Sequence, residues 1–533
     1  MSVNPPSAAI HSINHDILLY IFTNNADMFS DGQALHITLI ASQVCHQWRS
    51  LMLDTPSMWA KLIDMDTIYD SDQELGDELI RRSGTAPLWI KSSGIFENQF
   101  VANDDRDEAF EEFFISVISG NWDRIQKLVI HGACSSCGLV RSMLCFPAPQ
   151  LEELEASLPE ETENSGNLNE ETSTVPLFSD QAPMLRRFFL KNYVVDQQAP
   201  WLGHLRFIGL DRTYDLPDAL TVLSATHKLE ELRIDDLADE DISTSLPVVS
   251  LPLLKHLQYN GHPYPISRLL DHIEISTACS LAVRISYTSD RERMTEIRQQ
   301  LLSAVNVFIR YAKRYLQSYM FDIVCLDYFA HNSITFSGKT TFPVESQLEI
   351  SIPQHDDYDS SQLVMLFNQL ARLDLSGITK LQLRAKGHMN PYWVPFFSCF
   401  SSLNIICVDS KTLGFLIDLQ AWIIATSVKR PDVIFPLIKC VEFAITDFYD
   451  AGMSTADQVI VALSYVMPRL RYGRPISTLD MSKYLPLDDP SNLDAFTEVK
   501  GLKDLKLLYK YSGIEGKFEY SCGSGNQEKR IEI

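Results

Sequence analysis

Apolar side chains recur along this chain at two spacings, and the spacings divide it. Ile13, Ile17 and Ile21 fall every fourth residue, with Leu18 and Phe22 one step on, so this stretch predicts a helix with one broad apolar face. After a short polar gap, a second helical run carries Leu35, Leu39, Ile40, Val44, Trp48, Leu51 and Met52 at steps of three and four. It stops at Asp54-Thr55-Pro56, because the residue before a proline is pushed away from helical geometry. Three short helices cannot bury all these side chains among themselves, since units that small are marginal without help. The surplus apolar face predicts a docking surface.

Farther on the period shortens. The pattern apolar, two variable, apolar, one variable, apolar appears at Ile125/Leu128/Ile130, Leu151/Leu154/Ala156, Leu185/Phe188/Leu190, Leu205/Ile208/Leu210, Leu229/Leu232/Ile234 and Leu254/Leu257/Tyr259. It returns at Ile378/Leu381/Leu383, Leu403/Ile406/Val408, Ile438/Val441/Phe443, Ile476/Leu479/Met481 and Leu502/Leu505/Leu507. Helix-length stretches lie between copies: 290–316, with a stripe from Met294 through Ile297, Leu301, Val305, Phe308, Ile309 and Ala312 to Leu316, then 360–370 and 455–466. Strand and helix alternating on such a period predict an α/β solenoid with a horseshoe form, strands on one side and helices on the other.

Between the two regions, 61–65 and 87–90 read as short strands around a helix marked by Leu75, Leu79 and Ile80, a rigid joint and not a floppy linker. The acidic, polar stretch 159–176 holds too little apolar material to order itself and predicts a disordered loop. Strands at 322–326, 333–336 and 348–352, with a turn at Ser337-Gly338-Lys339, predict hairpin-like insertions, and the tail beyond Tyr511 is expected to fray. The expected organisation is a disordered 1–12, a helical unit at 13–60, a connector with the first strand and helix units at 61–120, the solenoid at 121–510 and a tail at 511–533.

The helical unit resembles the F-box, whose pattern runs roughly L-P-x-E-I-L, I-F, V-C-x-x-W-R and a closing Trp. Here I-N-H-D-I-L spans Ile13 to Leu18, followed by Ile21-Phe22, then V-C-H-Q-W-R from Val44 to Arg49, then Trp59. Asn14 stands where the family has Pro; Asn can cap a helix start, and the missing proline contact is the feature that would weaken adaptor binding. QAPMLRRFFL (181–190), LPLLKHLQYNG (251–261) and RYGRPISTL (471–479) resemble the divergent leucine-rich repeats that follow fungal F-boxes, without the usual Asn at the repeat turn in most copies. The resemblance implies a non-catalytic substrate-recognition subunit of an SCF-type cullin-RING ubiquitin ligase. In that reading Ile13, Asp16, Ile17, Leu18, Ile21, Phe22, Val44, Cys45 and Trp48 contact a Skp-type adaptor, and the repeats hold an unknown target protein. The competing reading is a binding scaffold outside any ligase.

Composition narrows the field. A net charge of −24 disfavours nucleic-acid binding, which needs clustered Lys and Arg. Ten cysteines in 533 residues make no disulfide framework, and Cys325, Cys407 and Cys440 sit in apolar runs, as reduced buried thiols do. No signal-like N-terminus is present, and the longest apolar run, LGFLIDLQAWIIA, is interrupted by Asp418 and Gln420. The expectation is therefore cytoplasm or nucleus, with no membrane partner. Cys134-Ser135-Ser136-Cys137 with Cys145 and His131 offers thiolate and imidazole, yet lacks the second ligand pair that a closed zinc site needs. The phosphate-cradle and nucleophile-elbow motifs are absent. The carboxylate pairs Asp104-Asp105, Asp235-Asp236 and Asp356-Asp357 read as solvated turn charges. No metal, cofactor or catalytic residue is expected.

Overall fold

The structure is a computed structural model. It describes residues 13–71, 73–92, 105–131, 141–157, 176–238, 246–286, 294–329, 333–340, 346–353, 361–386, 392–426, 433–443, 455–482, 502–511, 516–523 and 529–531. The expected disordered segment 1–12, the expected disordered loop 159–176 apart from Pro176, and the Cys134/Cys137 motif lie outside these residues. The chain divides into two compact units, Met1–Leu254 and Lys255–Ile533, each mixed α/β with a mostly parallel sheet.

The first unit opens with α1 (His15–Asn25), α2 (Ala34–Val44), α3 (His46–Leu53) and α4 (Pro56–Trp59). Asn14 does cap α1: its side-chain oxygen accepts the Asp16 N–H at 2.9 Å, satisfying one donor that a helix start leaves open. The second helical run is not continuous. It breaks at Cys45, whose backbone is extended and whose Sγ accepts the Trp48 N–H at 3.4 Å. The thiol caps α3 as a serine would, a local reason for a Cys three residues before a Trp. Pro56 sits in the first turn of α4, where its missing N–H costs nothing. Trp59 is fully buried, its indole N–H on the Met52 carbonyl at 2.7 Å and the Arg82 guanidinium 4.5 Å over its ring.

The chain continues through β1 (Ile63–Asp64), α5 (Met65–Asp70), α6 (Gln73–Ser83), β2 (Leu88–Ser92), α7 (Asp105–Asn121), β3 (Ile125–Ile130), β4 (Glu153–Ser157), β5 (Arg187–Lys191), β6 (Phe207–Asp211), α8 (Leu216–Ala225), β7 (Glu231–Asp235) and β8 (Val249–Leu251). The strand expected at 61–65 shrinks to two residues. Asp64 accepts the Asp66 N–H at 3.1 Å and caps α5, so Met65 is already helical. Packing ties the helices to this sheet: the Trp89 N–H donates to the Ala60 carbonyl at 2.9 Å, and the Phe29 ring lies 5.9 Å from that of Trp89.

Strands β1 to β7 are parallel neighbours in chain order. Ile63, Ile90, Leu128, Leu154, Phe188, Ile208 and Leu232 stand side by side across them, all buried. From Leu128 onward these are the middle apolar positions of the repeated motif. Its first position closes a tight turn before the strand: the N–H of Leu151 donates to Ala148, that of Leu185 to Ala182, and that of Leu229 to Thr226. Pro149 and Pro183 take the second place in two of these turns, where a preset φ suits the bend. On the face opposite Leu128, Lys127, Glu153, Arg187 and Glu231 form a row of ion pairs at 2.9–3.3 Å.

The second unit comprises β9 (His256–Gly261), α9 (Pro263–His272), β10 (Ile273–Ile275), β11 (Ser280–Ile285), α10 (Met294–Ser318), β12 (Ile323–Phe329), β13 (Ser333–Lys339), β14 (Ser346–Pro353), α11 (Ser361–Leu370), β15 (Lys380–Lys386), α12 (Trp393–Phe397), β16 (Ile405–Val408), α13 (Ser410–Thr426), β17 (Cys440–Phe443), α14 (Thr455–Arg471), β18 (Thr478–Asp480), β19 (Lys506–Tyr509), β20 (Lys517–Ser521) and β21 (Lys529–Ile531). The stripe of α10 is buried from Ile297 through Ala312, as the spacing predicts. Helix α14 runs past its expected end, through Pro468. Buried Arg469 fastens its last turn by donating to the Ile434 and Phe435 carbonyls at 2.7 and 2.8 Å.

Three strands enter this sheet in reverse of their chain order. β14 pairs parallel with β11, β12 pairs parallel with β15, and β13 runs antiparallel between them. The turn expected at Ser337-Gly338-Lys339 is instead strand: Gly338 pairs with Val324 and Leu348. Its glycine is there because the Phe321 ring occupies the space a Cβ would take. Beyond β15, Leu381, Ile406, Val441, Leu479 and Leu507 form the second in-line row. In the last copy the middle position is thus Leu507, not Leu505. Leu505 closes the turn on Leu502, and the left-handed Asp504 (φ 71) shortens the step. The expected frayed tail is also corrected over 516–523, where β20 pairs antiparallel with β19 and Phe518 lies 4.9 Å from Tyr511.

Candidate functional site: the outer face of the N-terminal helices

Helix α1 turns Leu18 and Phe22 inward and leaves Ile17, Tyr20 and Ile21 exposed. Residues three and four apart share a helix face, so the exposed three form one apolar stripe. Helix α2 is reversed relative to an ordinary surface helix. It buries Thr38 and Ser42 along with Ala34 and Leu35, while Ile37, Ile40 and Val44 project outward. The Thr38 hydroxyl has no hydrogen-bond partner among the described residues, and burying such a group costs free energy. A helix that hides hydroxyls and shows branched aliphatics leaves an apolar face uncovered among the described residues.

The inner side holds this geometry in place. Helix α1 packs against both α2 and α3, with the Phe22 ring edge-on to Trp48 at 4.9 Å and the Gln47 amide 2.6 Å from the His15 ring nitrogen. Of the nine residues expected at an adaptor contact, Asp16, Ile17, Ile21 and Val44 are exposed, and Ile13, Cys45 and Trp48 are half-buried. Leu18 and Phe22 are core side chains, present to hold α1 down. The sequence reading missed Tyr20, Ile37 and Leu53 as exposed apolar groups, and placed Ile40 in the second run without assigning it a contact. The 3-and-4 spacing of Ile37, Ile40 and Val44 carried the signal; reading α2 and α3 as one run hid it, because the break at Cys45 ends that stripe at Val44.

Elsewhere the chemistry is mostly self-paired. Among the described residues no group of three His, Cys, Asp or Glu side chains is placed to hold a metal ion, and no helix is long and apolar enough to cross a membrane. Burial, aided by Glu442 and Asp480, pushes the Cys440 thiol up to about 11, and a thiol in that state is a poor nucleophile. Asp235 pairs with Arg233 at 2.7 Å, and the Asp236 carboxylate accepts the Leu237 N–H. Asp104 and the pair Asp356-Asp357 lie outside the described residues. No protein-family model matches the chain, and no curated protein matches it.

Proposed function

We propose that this chain is the substrate-recognition subunit of an SCF-type cullin-RING ubiquitin ligase. Its N-terminal helices form an F-box that docks a Skp-type adaptor, and its strand-and-helix body, a divergent leucine-rich repeat, holds the target protein. One observation carries the reading: α1 and α2 together show Ile17, Tyr20, Ile21, Ile37, Ile40 and Val44 to solvent, while α2 keeps Thr38 and Ser42 inside. The in-line apolar rows and the recurring turn before each strand support the repeat assignment. The chain contributes position and no chemistry of its own. Holding a target lysine beside a charged thioester replaces a bimolecular encounter with a tethered one.

The test is binding of the full-length chain to a recombinant Skp-type adaptor. The intact chain and an Ile460→Glu control, altered at an exposed residue of the second unit, are expected to bind; Ile17→Glu combined with Val44→Glu is expected not to. Failure of the intact chain to bind sinks the ligase reading and leaves a non-ligase scaffold.

A further inference from the structure

The row of ion pairs from Lys127 to Glu231 alternates in sign, but one residue earlier, where the chain enters these strands, the alternation breaks. Glu152, Arg186, Arg206 and Glu230 stand side by side there: the N–H of each of the last three donates to the carbonyl of the one before, at 2.9, 2.8 and 2.8 Å. Two arginines are therefore neighbours, and like charges on adjacent strands repel. All four residues, with Met184, Arg187 and Glu231, line one recess of about 450 Å³, a volume within the ~300–1,000 Å³ span of ligand sites. Its charges are unequally engaged. Glu152 accepts the Gln126 amide at 2.7 Å, and Arg187 is held by Glu153 at 3.2 Å and Glu231 at 2.9 Å. Arg186 uses only Nη1, on the Pro183 and Leu185 carbonyls at 3.2 and 2.9 Å. The Arg206 side chain is 64% exposed and meets Glu230 only at 3.6 Å, too long for a hydrogen bond. Among the described residues, the remaining Arg186 donors and the Arg206 guanidinium have no acceptor within hydrogen-bond reach.

We infer that this recess binds a carboxylate on an apolar stem. The oxyanion bridges the Arg186 and Arg206 guanidiniums and relieves their repulsion, and the stem lies on Met184, which is 42% exposed. Guanidinium forks match the geometry of an oxyanion. Charge decides which oxyanion. The three arginines and three glutamates around the recess balance to zero, so a monoanion is favoured over a phosphate monoester, whose charge of ~−1.5 to −2 presses a second charge against the glutamates. Two sources carry this chemistry, a glutamate side chain of a partner protein and a free short-chain acid, and the test separates them. The inference does not depend on the adaptor reading.

The experiment reads ligand proton signals by saturation transfer from the full-length chain, titrated with the blocked peptide acetyl-Leu-Glu-Leu-amide, its glutamine and phosphoserine counterparts, and hexanoate. At least one of the two carboxylates, peptide or hexanoate, is expected to saturate the site. The glutamine peptide should bind at least about tenfold more weakly, and so should the carboxylates to Arg186→Gln or Arg206→Gln, each change removing a charge-assisted bond. Lys313→Gln, at an exposed residue of the second unit, removes the same charge and should bind as the unaltered chain does. Tighter binding of the peptide assigns the carboxylate to a partner's side chain, and tighter binding of hexanoate to a free acid; either bears out the site. No saturation at millimolar carboxylate, equal binding by both arginine variants, an equal loss in Lys313→Gln, or tighter binding of the phosphoserine peptide overturns the proposal. Adaptor binding by Arg206→Gln is expected to be unchanged, so this site and the ligase reading fail separately.

Discussion

Replacing Val44 with Glu tests the reversed helix most directly. Val44 is 57% exposed, so in the free chain the change should alter stability by no more than about 0.5 kcal/mol. Docking would cover the half of the side chain still in water. Full burial of such a side chain is worth ~1.5–3 kcal/mol, so the exposed half accounts for about 1 kcal/mol. A glutamate there also loses hydration without gaining a partner, a further ~1–3 kcal/mol. The sum, about 2–4 kcal/mol, weakens binding roughly thirty- to eight-hundred-fold. Calorimetric titration with a Skp-type adaptor reads this, and circular dichroism checks that the helices are intact. Leu18→Glu is the instructive contrast: at 3% exposed it unfolds the unit, and its loss of binding says nothing about contact. Should Val44→Glu bind within threefold of the unaltered chain, the outer face of α2 is not the docking surface.

Thr38→Val removes the unpaired buried hydroxyl at nearly constant shape and should stabilise α2 by about 1 kcal/mol, seen as about fivefold slower amide exchange in that helix; faster exchange would mean the hydroxyl has a partner. Gly338→Ala drives a methyl group into the Phe321 ring and should cost about 1–3 kcal/mol in denaturant unfolding of the second unit, whereas an unchanged curve contradicts the packing assigned to Gly338. Burial raises the carboxyl pKa of Asp64, with Lys91 partly offsetting it. A raised folded-state pKa means the ionised form costs stability at neutral pH, and that cost fades as pH falls through the folded value. Asp64→Asn keeps the cap on α5, so it should stabilise at pH 7 by an amount that shrinks toward pH 4; a gain flat across that range refutes the burial argument.

Most strand positions were legible because β-structure with one buried face writes itself as alternation: Leu128, Leu154, Ile208 and Leu232 needed no tertiary knowledge. The same local rule failed at Gly338, where a glycine that usually marks a turn answers to the Phe321 ring, distant in the fold's logic though near in sequence. It failed again at Asp504, whose left-handed backbone shifts the last repeat by two residues, and at Asp64, where a cap cuts a strand short. On the outer face of α1 and α2 the surplus of apolar residues was legible, but their sorting was not. Leu18 and Ile17 are chemically alike, and only the packing of α1 on α2 and α3 decides which one meets water.

The backward insertion of β12 to β14 bears on how the chain comes off the ribosome. From β2 to β7 each new strand finds its neighbour already made. By contrast, β11 acquires β14 only later: Arg284 and Glu349, which bond across that pair, are 65 residues apart. At translation rates of ~5–20 residues per second that interval lasts roughly 3–13 s, during which the nascent edge of β11 stands open to wrong pairing. Chaperone dependence should therefore concentrate in the second unit.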